Sequence, residues 1–281
     1  MKQRSRAQIR LILIAFAALL LLLALLLWQG IRRGDAVRVG VPRSASAYGA
    51  VLLLQTPSAQ YHCVLGSTAQ VLARALEAGE LDAALLPCDT AKSLADCEIR
   101  AVLGAAPLVV VSKDGELTLK ALEGQTLTLD KNLQGTREEA MLTAVLREKK
   151  IGCKIVYGKT GDPFACSLDG AAALLQEDAD WQICFSVGEA WEKAMSGLPP
   201  AGLCLTVRRE YLERAGADYS AFERALQSSV QYGGEKRKKT VAMAAAAGLA
   251  AGEEIADRLY PYVDFAWLTG EDAAQSLRAA P

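Results

Sequence analysis

The stretch LEAGELDAALLP, residues 76–87, constrains this chain more than any other. Leu72 and Leu76, with the alanines between them, form a helical stripe, and Gly79 is a left-handed stop. Residues 81–86 make a short apolar run broken only by Asp82, the pattern of a strand covered on both faces. Pro87 has no amide to continue the ladder, so the chain must turn there. In open α/β sheets, ligands bind just beyond the carboxyl ends of strands, which makes residues 87–90 a candidate ligand loop. Asp82 is expected to pair with a backbone group or a basic neighbour. No second carboxylate stands at a spacing that acid/base chemistry requires.

The same alternation runs through the middle of the chain. Strand patterns fall at residues 36–41, 61–65, 81–86, 99–103, 108–112, 126–129, 154–157, 181–187 and 203–207. Helical patterns fall between most of them, at 50–54, 68–78, 90–94, 136–150, 167–176 and 189–195, and again from Tyr219 onward. Helices start where small hydroxyl residues can cap them: Ser67 or Thr68, Thr136 after Gly135, and Ser167. Strands alternating with helices predict the α/β class with parallel sheets. The helical tail carries apolar residues that need a partner surface.

Charge and leader divide the chain in two. The run from Leu11 to Trp28 is 18 apolar residues long, preceded by Lys2, Arg4, Arg6 and Arg10 and followed by Arg32 and Arg33. This length just reaches a membrane span, and the basic flank favours a cytoplasmic amino terminus with the body outside. A cleaved signal peptide is the alternative, but no small-x-small site stands near Gly30. Beyond Arg33 there are 25 basic and 32 acidic residues. An acidic body is unsuited to nucleic acid, whose phosphates need a basic face. The basic run at residues 235–239 reads as a solvated helix face. Seven cysteines (Cys63, Cys88, Cys97, Cys153, Cys166, Cys184 and Cys204) make no C-x-x-C pair, and most read as small buried apolar residues.

The catalytic constellations are missing. His62 is the only histidine and reads as structural. No zinc cluster or G-x-S-x-G elbow occurs, and Gly158-Lys159-Thr160 lacks the glycine and helix of a phosphate loop. What remains is binding: polar loops at strand ends and helix amino termini, at residues 42–48, 87–90, 135–137 and 188–189.

These residues, in order, resemble a known family. GELDAALLPCDTAKSL (residues 79–94), the strand at 108–112 with LKALEGQT (119–126), Gln134-Gly135-Thr136-Arg137 before a long helix, the strand ending near Glu189, and the returning strand at 203–211 are similar to ABC-transporter substrate-binding proteins of the sulfonate, taurine and thiamine-precursor type. Ala190 stands where that family usually has proline. The resemblance implies a two-lobed Venus-flytrap fold, the type II periplasmic binding protein fold; the N-terminal transmembrane anchor comes from the leader and departs from the lipoproteins and free periplasmic proteins common in that family. Residues 1–34 would be anchor and linker, residues 35–107 plus 202–281 the first lobe, and residues 108–201 the second. It implies an extracytoplasmic solute-binding component of an uptake transporter, working with an ABC permease and ATPase and needing no cofactor or metal. By motif position, Ser44, Ser46, Tyr48, Cys88, Asp89, Thr136, Arg137 and Glu189 would contact the small-molecule ligand. Arg137 would suit an anionic group and Tyr48 would suit stacking on a flat heterocycle. An enzyme of the menaquinone or thiamine-pathway type on the same fold, or a sensor, is the alternative, and the leader counts against the enzyme.

Overall fold

Gly79 adopts a positive φ of 75° and ends the helix before it, while the Arg38 guanidinium holds its carbonyl at 2.8 Å. Around this corner the computed structural model builds the chain, describing residues 36–56, 58–105, 107–195 and 200–279. The expected anchor at 11–28 lies outside the described residues, among which no helix is long and apolar enough to cross a membrane.

The elements run in chain order. β1 (Val37–Pro42) leads through a 3-10 turn (Ala45–Ala50) into α1 (Val51–Gln55), followed by β2 (Tyr61–Gly66), α2 (Ala69–Glu77), β3 (Ala83–Pro87), α3 (Cys88–Ser93) and β4 (Cys97–Ala105). Then come β5 (Leu108–Ser112), β6 (Thr126–Asp130), α4 (Arg137–Glu148), β7 (Lys154–Gly158), β8 (Phe164–Ser167), α5 (Leu168–Glu177), β9 (Gln182–Ser186) and α6 (Val187–Met195). The chain returns through β10 (Ala201–Arg208) and closes with α7 (Arg209–Glu235), α8 (Arg237–Ala246), α9 (Glu253–Leu259) and α10 (Gly270–Arg278).

Two five-stranded sheets result, ordered β2-β1-β3-β10-β4 and β7-β6-β8-β5-β9. They are mixed, not parallel as the alternation predicts. β10 runs antiparallel to β3 and β4, and β5 runs antiparallel to β8 and β9. The reason is topological. β5 and β10 are the strands that enter each sheet from the other. They start where their neighbours end, so they run the opposite way. Each occupies the fourth place in its sheet, giving the two halves one plan. β8 has no counterpart among the expected strands. Its four residues follow Pro163 directly and are too short to show a period.

Packing follows from the sequence pattern. α2 buries Leu72, Ala73 and Leu76 against the first sheet, with Thr68 capping its first turn; each buried leucine contributes about 2 kcal/mol. Gly66 makes room for this, since a Cβ there would meet Leu72 at 2.4 Å. α4 buries Met141, Leu142, Val145 and Leu146 over the second sheet, beside Trp191 of α6. The tail begins at Arg209, ten residues earlier than expected. Its partner is the other face of the first sheet, where Phe222, Leu226, Val230, Val241 and Leu259 share one apolar cluster with Val37, Val39 and Val41. That cluster continues to Val109, Phe164 and Leu175 of the second half, so the tail spans both sheets.

Candidate functional site

The carboxyl ends of β1, β2 and β3 face the end of β8, and the space between them holds two adjoining cavities. The first, of about 220 Å³, is lined by Arg43, Ser44, Ser46, Thr68, Glu138, Ser167 and Asp169, with Pro42 and Pro87 at the strand ends. The second, of about 210 Å³, is lined by Ser46, Ser186, Glu189, Glu192, Tyr262 and Asp264. Ser46, Pro107 and Leu203 form a wall common to both. Pro107 joins β4 of the first sheet to β5 of the second, and Leu203 stands near the start of β10, the strand that re-enters the first sheet, so the cavities lie beside both connections.

Three helical amino termini open on the first cavity, and each is there because a hydroxyl residue follows a strand. Ser44 Oγ accepts from the Ser46 amide at 3.2 Å, Thr68 Oγ1 from Val71 at 3.2 Å and Ser167 Oγ from Gly170 at 3.1 Å. Such termini present unbonded N–H groups to whatever enters. Across the cavity, Asp169 Oδ1 accepts from Ser44 Oγ and from the Ala45 amide, both at 3.0 Å. Burial lifts the Asp169 carboxyl above its ordinary range, against the opposing effect of those two bonds.

The eight residues expected to bind ligand divide. Ser44 and Ser46 line the first cavity, and Ser46 and Glu189 the second. Glu189 also pairs with Lys193 at 3.5 Å. Tyr48 is completely buried in the core, so it offers no ring face for stacking. Its hydroxyl has no hydrogen-bond partner among the described residues, and burial, aided by the Asp169 charge, raises its pKa. Cys88, Asp89, Thr136 and Arg137 line neither cavity. Thr136 caps α4, accepting from Glu139, and donates to the Leu133 carbonyl at 2.7 Å. Arg137 is not open to an anion: its Nε lies 3.3 Å from Asp89 and its Nη1 donates to the Leu277 carbonyl at 3.4 Å. Lys92 Nζ donates to the same carbonyl at 2.6 Å.

Cys88 lies buried in an apolar cluster with Cys204. The Cys204 thiol donates a hydrogen bond that lowers Cys88 to about 7; burial opposes this, and Arg137 and Lys92 add to it. The same bond raises Cys204. All seven cysteines are free.

The sequence reading missed Arg43, Thr68, Glu138, Ser167, Asp169 and Glu192. Thr68 and Ser167 were legible as caps, and their place at strand carboxyl ends was the signal that could have marked them. Among the described residues, no group of three or more His, Cys, Asp or Glu is placed to hold a metal ion.

Two mixed sheets of one plan, joined by two crossings with a cleft between them, make the two-lobed periplasmic binding protein fold. No protein-family model matches the sequence, and no curated protein matches it. Solved structures do. An ABC transporter protein from Parabacteroides distasonis is similar with a TM-score of 0.69 at 16% identity, over 86% of this chain and 89% of that one. The periplasmic aliphatic sulphonate binding protein SsuA from Escherichia coli is similar with a TM-score of 0.60 at 15% identity, over 86% and 89%. A ligand-binding component of an ABC-type import system from Staphylococcus aureus, solved with zinc bound, follows with a TM-score of 0.57 at 12% identity, over 82% and 86%. At these identities the likeness shows the fold that this chain shares with them.

Proposed function

We propose that this chain is the extracytoplasmic solute-binding component of an ABC-type uptake system. It holds a small polar molecule in the cleft between two lobes and delivers it to a permease driven by an ATPase. The observation that carries this is the position of the two cavities, at strand carboxyl ends and against both crossings. A ligand there touches both halves at once and favours their closure by hinge motion. The first lobe comprises residues 35–107 and 202–281, and the second residues 108–201. The run from Leu11 to Trp28 tethers the body to the outer face of the membrane. Within the cleft, Ser44, Ser46, Thr68 and Ser167 supply hydrogen bonds, and Glu189 and Glu192 stand at the second cavity. Arg137 and Asp89 join the lobes outside the ligand.

A thermal-shift screen of the full chain in detergent, against amines, amino acids, sulfonates, pyrimidines and dicarboxylates, tests the reading. A ligand present at a hundred times its Kd adds about 2.7 kcal/mol to stability. The expected result is a clear upward shift with one chemical class. A broad screen without any shift defeats the proposal.

A further inference from the structure

The walls of the cleft carry mostly negative charge. Glu138 and Asp169 line the first cavity, and Glu189, Glu192 and Asp264 line the second. Among the described residues, Arg43 is the single basic one lining either. Arg137, the guanidinium that the sequence offers to an anion, is already held by Asp89 and the Leu277 carbonyl.

The place where an anion would be received is also filled. The Ser44 hydroxyl and the Ala45 N–H begin a helical turn, and both donate to Asp169 Oδ1 at 3.0 Å. A second anion at this point meets a carboxylate instead of a free donor pair. Asp169 keeps Oδ2 without a hydrogen bond among the described residues, and neither Glu138 nor Glu192 makes a hydrogen bond or ion pair among them. Three of the carboxylates that line the cavities therefore keep acceptor oxygens without a partner among the described residues. The buried Tyr48 hydroxyl lies within the influence of the Asp169 charge and has no partner of its own. Burial raises the carboxyls of Asp169 and Glu192, and the charges of Asp264 and Glu189 raise Glu192 further. A positive group between such carboxylates relieves both effects.

We propose that the cleft selects a small organic cation, an amine or quaternary ammonium compound, and that Asp169 is the residue that sets this charge class. The proposal rests on the solute-binding reading above. Asp169 does so twice: it closes the Ser44–Ala45 donor pair to anions, and it offers Oδ2 to a positive group.

Calorimetric titration of the full chain in detergent tests this with matched probes: ethanolamine, choline and 1,3-diaminopropane against ethanesulfonate and propionate. An amine or ammonium probe should bind the wild-type chain, and Asp169→Asn should weaken it tenfold or more. Gain of ethanesulfonate binding in Asp169→Asn also supports the proposal. Near-UV circular dichroism checks that the variant folds. Glu192→Gln, at a carboxylate with no hydrogen bond or ion pair among the described residues, repeats the test from the second cavity and should weaken the same probe. Sulfonate or carboxylate binding left unchanged by Asp169→Asn overturns the charge class while solute binding stands. Amine binding unchanged in both variants overturns the role of Asp169. Silence of every probe, here and in the wider screen, removes the solute-binding reading and this proposal with it.

Discussion

Asp82 keeps a carboxylate that is 3% exposed at the entrance to β3. Arg38 supplies its partners: the backbone amide and Nε donate to Oδ2 at 3.0 and 2.9 Å, and Nη2 donates to Oδ1 at 2.8 Å. Arg214 stands at 3.6 Å. This is the basic and backbone pairing expected from the sequence. Asp82→Ala leaves a bidentate guanidinium without its carboxylate and should cost about 2 kcal/mol, since Arg38 is partly solvated. Urea unfolding measures this, and a loss below about 0.5 kcal/mol would show that the pair contributes little. Asp169 makes a prediction of the opposite sign. Its native carboxyl holds a proton above the ordinary value of 3.8. In the pH range just above 3.8 the native chain binds more protons than the unfolded one, so the Asp169 contribution falls as pH rises through that range. Asp169→Asn lacks this dependence and can still accept from Ala45. The stability of wild type relative to the variant should therefore decline as pH rises through the range just above 3.8 and then level off. A flat difference across that range contradicts the shift.

At the scale of elements, the caps separate structural roles from binding roles. Thr68 and Thr136 both cap helices, yet only Thr68 lines a cavity. Thr68→Ala and Thr136→Ala should each lower stability by about 1 kcal/mol. Only Thr68→Ala should also weaken whatever ligand the thermal screen identifies. Equal affinities in the two variants remove Thr68 from the site. The pattern explains what could be read from the chain beforehand. Caps, glycine stops and apolar stripes are local, so α2, α4 and α5 were legible within a residue or two. β8 was not, because four residues behind a proline carry no periodicity. Without β8 the Ser167-Leu168-Asp169 corner reads as an ordinary helix start, where an acid merely suits the dipole. That hides the residue which crosses the cleft. Tyr48 failed for another reason. A 3-10 turn gives no stripe long enough to tell which side faces the core, and an aromatic in a polar loop was assigned to ligand while its ring was buried under α7.

For the molecule as a whole, polar links at several points join the two halves, among them Tyr262 Oη to the Ile183 carbonyl at 2.8 Å and Arg258 to the Trp181 carbonyl. Asp89 with Arg137 bridges α3 and α4, and Ser44 with Asp169 bridges the first turn and α5. Asp89 is half-exposed, so a double-mutant cycle on Asp89 and Arg137 should yield a coupling of about 1 kcal/mol or less. The larger effect is in shape. Arg137→Ala should raise the radius of gyration of the ligand-free chain in small-angle scattering, as the open form gains population. An unchanged radius would assign closure to the other contacts between the halves, the apolar cluster and the Asp169 and Tyr262 bonds among them. The common plan of the two sheets was partly legible, since the crossings at 108–112 and 203–207 were expected strands. Their direction was not, because reversal follows from where a strand enters and leaves no mark on its residues.

One carbonyl connects these scales. Leu277 in α10 accepts from Lys92 of the first half and from Arg137 of the second. Any rotation of the halves must break or stretch one of those bonds, so α10 registers opening although it lies outside both cavities. A fluorophore attached at exposed Gln275 would thus act as an optical gauge of occupancy. It would turn an unknown solute into a signal readable in real time, with no labelled ligand required.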